Sequence, residues 1–220
     1  MTLLGHSCVR VEHAGATLVV DPGCFSDPAA LDGADAVLIT HQHDDHLDET
    51  RLRAFAADRP HLEVWTTHDT ADKLGDLGKR VHAVTHGQEF SAAGVAVAVF
   101  GDTHARVHPS LGQVDNIGFL FEGHLFHPGD ALTVPDAPVT ELLVPVAAPW
   151  VKLAEVADYV EAVGPDRAYL IHGALLSEVG LNLYHRVLST LTGAPERREL
   201  NASDSGHHVD TDDASRVPRP

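Results

Sequence analysis

The 220 residues carry 32 Asp and Glu against 15 Lys and Arg, a net charge of −17 that disfavours a long nucleic acid or an anionic membrane as partner. A hydrophobic content of 44% is ordinary for a soluble globular enzyme, and no run approaches the roughly 18 apolar residues that span a bilayer. Two cysteines are too few for a disulfide framework, so Cys8 and Cys24 read as reduced, buried residues of a cytoplasmic protein. Residues 1–10 show no basic region ahead of an apolar run, and no secretion signal is expected. The 17 histidines stand out, because imidazole both titrates near neutrality and binds transition metals.

In chain order, residues 9–12 and 17–20 flank Ala14-Gly15 as a hairpin, which Asp21-Pro22-Gly23 stops. The continuous apolar run 36–39 predicts a strand buried on both faces. A histidine cluster follows, then a helix over 48–57 with Leu52, Phe55 and Ala56 on one side. Further strands are expected at 62–66, 81–84, 88–90 and 95–100, with a short helix over 69–77 ending at Gly78. In the second half, 117–122 and 125–127 form a hairpin about Gly123, and 141–144 is a buried strand stopped by Pro145. Helix 151–163 carries Leu153, Val156, Ala157, Val160 and Val163 on one stripe and ends at Gly164-Pro165. A strand at 167–171 and a helix at 181–191 complete one domain over 1–192. Residues 193–220 are polar and aperiodic, a disordered tail in which His207-His208 is a solvated pair.

The chemistry concentrates in His41-Gln42-His43-Asp44-Asp45-His46. His41 and His43 are two apart, so a turn past a strand end can bring both onto one ion, while Asp45 and His46 can serve a second. Three more candidates also follow predicted strands: His104, Asp130 and His172. Imidazole with carboxylate suits Zn²⁺ best, with Mn²⁺ and Fe²⁺ as rivals. His108, four residues after His104, competes with it for the third position on the first ion. His108 also reads as a substrate contact or an oxyanion donor, though a plain loop histidine is the better reading. Asp21 reads either as an acceptor for a ligand imidazole N–H or as a turn residue before Pro22-Gly23. His6 lines the pocket or is structural, and Asn116 is better read as a turn residue than as a substrate donor.

Thr40-His41-Gln42-His43-Asp44-Asp45-His46-Leu47 resembles the signature of the metallo-β-lactamase-fold hydrolases. Gly5-His6-Ser7, Leu18-Val19-Val20-Asp21-Pro22-Gly23, His127-Pro128-Gly129-Asp130 and Leu170-Ile171-His172-Gly173 occur in that family's order. Within it, the chain is most similar to the small stand-alone hydrolases related to the ascorbate-phosphate lactonase group. The resemblance implies an α/β (α+β) fold, a four-layer αββα sandwich. It also implies two divalent ions: His41, His43 and His104 on the first, Asp45, His46 and His172 on the second, and Asp130 bridging. Some β-lactamases place a cysteine where this chain has Asp130, so antibiotic hydrolysis is not favoured. Neither the helical substrate domain of glyoxalase II nor a nuclease-type insertion is expected.

Two ions about 3.5–4 Å apart would share a water and lower its pKa toward about 7. The expected activity is then a dinuclear metal-dependent hydrolase that directs a bridging hydroxide at a small ester, lactone, thioester or phosphodiester. Asp45 would ligate and orient that hydroxide and take its proton. The partner is a small-molecule substrate, with homo-oligomerisation left open. Two alternatives are a di-iron redox protein on the same scaffold and a non-catalytic metal-binding protein.

Overall fold

The computed structural model describes residues 1–192 and the backbone of residues 200 and 201. Six strands form the first sheet in chain order: β1 (Thr2–Leu3), β2 (Val9–His13), β3 (Ala16–Val20), β4 (Ala36–Leu38), β5 (Glu63–Thr66) and β6 (Val81–Ala83). The second sheet has seven strands: β7 (Glu89–Ala92), β8 (Val95–Phe100), β9 (Gly118–Phe121), β10 (Leu125–His127), β11 (Glu141–Pro145), β12 (Arg167–Ile171) and β13 (Leu200–Asn201). These lie in the order β13-β12-β11-β10-β9-β8-β7. In each sheet one portion is antiparallel and the other parallel, from β3 to β6 and from β10 to β13.

Strand alternation explains the layers. Leu38 on β4 and Leu143 on β11 enter the core between the sheets with Leu18, Val20, Val97, Val99, Phe119 and Ile171. Their neighbours point the other way. Val37 and Ile39 pack with Leu52, Phe55 and Ala56 of α1 (Glu49–Ala57). Leu142 and Val144 pack with Val156 and Val160 of α3 (Leu153–Val163). Apolar runs at 36–39 and 142–144 are therefore continuous because both sheet faces are covered. With α2 (His68–Lys73) and α4 (Glu178–Leu191), the result is the expected αββα sandwich.

The helix ends follow local chemistry. Asp48, Thr67 and Ser177 accept backbone N–H bonds as N-caps of α1, α2 and α4, and Gly164 closes α3 in the left-handed conformation at φ 65°. Ser177 starts α4 three residues earlier than the apolar pattern at 181–191 implies. The helix expected over 69–77 is divided instead: α2 stops at Lys73 and a 3-10 turn runs Gly75–Arg80. Buried Leu74 anchors the chain there, and Gly78 takes φ 65°, a value at which a helix cannot continue. Cys8 is buried as expected, but Cys24 is exposed, because it follows the sharp Asp21-Pro22-Gly23 turn onto the surface. The polar segment 193–220 lies outside the described residues, apart from the backbone of β13. Among the described residues, no helix is long and apolar enough to cross a membrane.

Candidate metal centre

The parallel strands of both sheets deliver their carboxyl ends to one edge, where an α/β fold collects ligands. Asp21 follows β3, the cluster His41 to His46 follows β4, Asp130 follows β10 and His172 follows β12; His104 follows antiparallel β8. All seven ligand candidates come together there. His41, His43 and His104 form one group with potential ligand atoms within 4.8 Å of one another. His6, Asp45, His46 and His172 form a second, and His41, His46 and Asp130 a third. Asp130 spans them: its Oδ1 lies 3.1 Å from His46 Nε2, and its Oδ2 lies 3.4 Å from His104 Nε2 and 3.2 Å from His172 Nε2.

Each of four imidazoles is oriented through Nδ1. His46 Nδ1 donates to Asp21 Oδ2 at 2.7 Å, His172 Nδ1 donates to the Ala147 carbonyl at 2.7 Å, and His104 Nδ1 donates to the Ala105 carbonyl. The Thr40 hydroxyl gives its proton to Asp21 Oδ2 at 2.7 Å, so His41 Nδ1, 3.0 Å away, donates to Thr40 Oγ1. With Nδ1 protonated in all four, each ring in its neutral form presents the Nε2 lone pair inward. Nε2 of His46, His104 and His172 and Oδ1 of Asp130 are buried without a hydrogen-bond partner. Buried polar atoms are rarely left so, and four converging on one point fit cation ligands.

Against their burial, Asp130 and Asp21 raise the pKa of His46 well above the usual imidazole value, and Asp130 and Asp45 raise that of His172 to about 9, so without a cation both rings hold a second proton that an ion would have to displace. Burial and the neighbouring His46 hold His41 well below the usual imidazole pKa, so it stays neutral. Burial works against ionised Asp130, but the adjoining His46 ring, with His104 and His172 beside it, holds it well below the carboxylate range. Asp45 is likewise kept ionised against its burial by His172 and His6. Asp21 and His172 sit at φ 49° and 61°, a left-handed conformation costing a non-glycine residue roughly 1–3 kcal/mol. Tertiary contacts must hold both.

Of the remaining candidates, His6 alone falls in one of these groups. Asp21 accepts from His46, the first of its two readings, and also from the Thr40 backbone N–H at 2.8 Å. His6 is buried, with Nε2 3.1 Å from Asp45 Oδ2, and Nδ1 accepts the Ala174 N–H at 3.4 Å. Its second nitrogen is thereby fixed as a donor. Asn116 is fully buried; its amide donates to the Pro128 carbonyl and accepts the Asp130 N–H, locking the loop that carries Asp130. His108 is exposed, with Nδ1 engaged by the Ser110 hydroxyl. It lines a cavity of about 260 Å³ with His43, His104, Arg106, Val107 and Gln113. His104, not His108, stands with His41 and His43.

Residues 1–172 match the beta-lactamase superfamily domain. The chain belongs to the beta-lactamase superfamily. Among its relatives within this superfamily, Protein Rv0786c of Mycobacterium tuberculosis is 39% identical, covering 87% of this chain and 92% of its own. A UPF0173 metal-dependent hydrolase of Aeropyrum pernix is 27% identical over 59% of this chain and 60% of its own. The structure of Igni18, a metallo hydrolase from Ignicoccus hospitalis, has the same superfamily fold. Its TM-score is 0.69 at 17% identity, covering 91% of this chain and 93% of that one.

Trp150 was not legible as a site residue. Its indole Nε1 donates to Asp130 Oδ2 at 3.1 Å. A tryptophan after Pro149 carries no metal-site signal, and only the tertiary fold brings it beside Asp130.

Proposed function

We propose that this metal-dependent hydrolase of the beta-lactamase superfamily holds two divalent ions and cleaves a small ester, lactone, thioester or phosphodiester. The observation that carries the reading is the convergence of three unpartnered Nε2 atoms on a carboxylate that reaches both histidine groups. His41, His43 and His104 would hold one ion, Asp45, His46 and His172 the other, and Asp130 both. The nitrogen-rich donor set favours Zn²⁺. Bound ions of this kind supply Lewis acidity, which lowers the pKa of water and polarises a carbonyl or phosphoryl oxygen.

The chain's own side chains do the rest. Asp45 is kept ionised and is half-buried at the ligand cluster, so it can accept a proton from water and orient it. His6, a fixed donor, holds Asp45 Oδ2 in place. The cavity beside His43 and His104 accepts the substrate, with Arg106 and His108 as polar contacts on its wall. Its volume suits a small molecule. The free cysteines Cys8 and Cys24 support a reducing compartment such as the cytoplasm.

The test is a hydrolysis screen of metal-loaded protein on lactones, thioesters and phosphodiesters, each with a chelated control. Chelator-sensitive turnover of one class is expected, and Asp45→Asn should lose most of it. Absence of chelator-sensitive turnover on every class would overturn the reading.

A further inference from the structure

Asp130 receives one hydrogen bond to its carboxylate from a side chain outside the proposed ligand set: the Trp150 indole N–H. Tryptophan offers a single donor, has no lone pair for a metal and does not titrate. It can therefore neither ligate an ion nor act as acid or base. What it can do is fix a rotamer. Asp130 has Oδ1 toward His46 and Oδ2 toward His104 and His172, and rotation of its carboxylate would break that division.

The loop carrying Trp150 holds the centre twice. It leaves β11 after Pro145, and two residues on the Ala147 carbonyl accepts the hydrogen bond from His172 Nδ1. Three residues further, the Trp150 ring stands edge-on to two ligand imidazoles, with centroids 6.0 Å from His104 and 6.5 Å from His172. One loop thus orients a histidine of the second group and the carboxylate shared by both.

We propose that Trp150 is a positioning residue for Asp130, its indole N–H holding the carboxylate in the rotamer that serves both ions. This rests on the reading of Asp130 as the bridging ligand. Metal-site partners of this kind typically change affinity about 10–100-fold.

The experiment separates the N–H from the ring. Trp150 is replaced in the full chain by β-(3-benzothienyl)alanine, which keeps the fused ring and puts sulfur in place of the N–H. Zn²⁺ affinity is measured by competition with a chromophoric chelator, and bound zinc is counted in the unsubstituted protein. Two ions per chain in the latter, with the weaker ion of the substituted protein bound about 10–100-fold less tightly, is the expected result. Unchanged affinity for both ions would reduce Trp150 to packing and overturn the proposal, leaving the bridging reading intact. Fewer than two ions in the unsubstituted protein would instead overturn the bridging reading itself.

A second measurement keeps the Trp150 indole intact. In Trp65→Phe the remaining tryptophan is Trp150, since the chain holds two. Its emission should shift as Zn²⁺ is titrated to two equivalents. Emission that stays constant through that titration would overturn the proposal.

Discussion

Asp21→Asn tests how the centre is oriented. Asp21 Oδ1 accepts the Thr40 N–H at 2.8 Å, and Oδ2 accepts both the Thr40 hydroxyl and His46 Nδ1 at 2.7 Å. In the variant the amide oxygen must stay with the Thr40 N–H, which puts the NH₂ where Oδ2 was. Two former donors then face a donor. Thr40 answers by rotating its hydroxyl toward His41 Nδ1, and His46 by moving its proton to Nε2. His41 must do the same. Both imidazoles are then protonated on the nitrogen that should face an ion. The shape is conserved and no buried donor is left unpaired, so the fold should lose little stability. Affinity should fall about 10–100-fold, equivalent to roughly 1.4–2.7 kcal/mol. Asp21→Ala should behave differently. It strands three buried donors at about 1–3 kcal/mol each and should lower the melting temperature of the chelated protein as well. Competition with a chromophoric chelator gives the affinities, and thermal melts in chelator give the stabilities. Wild-type Zn²⁺ affinity in a folded Asp21→Asn protein would refute the tautomer argument.

Three further outcomes follow from packing and exposure. Gly23→Ala places a Cβ 1.9 Å from the Asp45 carbonyl oxygen and 2.1 Å from its carbon, so the backbone of Asp45 and His46 must move. Overpacking of this kind costs about 1–3 kcal/mol or more, and zinc per chain should drop with the melting temperature; wild-type values for both would contradict the stated contact. Phe119→Ala, in the core between the sheets, should cost about 3–5 kcal/mol in urea unfolding, whereas a loss below about 1 kcal/mol would mean that layer is not tightly packed. Burial pushes the Cys8 thiol up to about 12, while Cys24 is exposed. A thiol reagent should therefore label one cysteine per native chain and two after denaturation, and two rapid labels in the native protein would place Cys8 wrongly.

Much of this architecture was legible because burial leaves a periodic trace. The unbroken apolar runs at 36–39 and 142–144 announce sheets covered on both faces, and Leu38 and Leu143 do face the opposite sheet while their neighbours face helices. The ligand candidates were legible because each follows a strand end, where side chains from distant segments meet. The rest depends on contacts that no local pattern encodes. Position 78 was read as the end of a helix, but buried Leu74 ends it earlier. Asp21 and His6 each admitted two readings until the fold placed them 2.7 Å from His46 Nδ1 and 3.1 Å from Asp45 Oδ2. Trp150 reaches Asp130 across 20 residues of chain and could not be seen before the loop was folded.

The central claim is that Asp130 and the six side chains around it hold two ions. Its most direct test is a count of zinc per chain by elemental analysis, after the purified protein is saturated and freed of excess metal. The account predicts two ions per chain in the wild type and a clear deficit in Asp130→Ala. One ion or fewer per wild-type chain would contradict it.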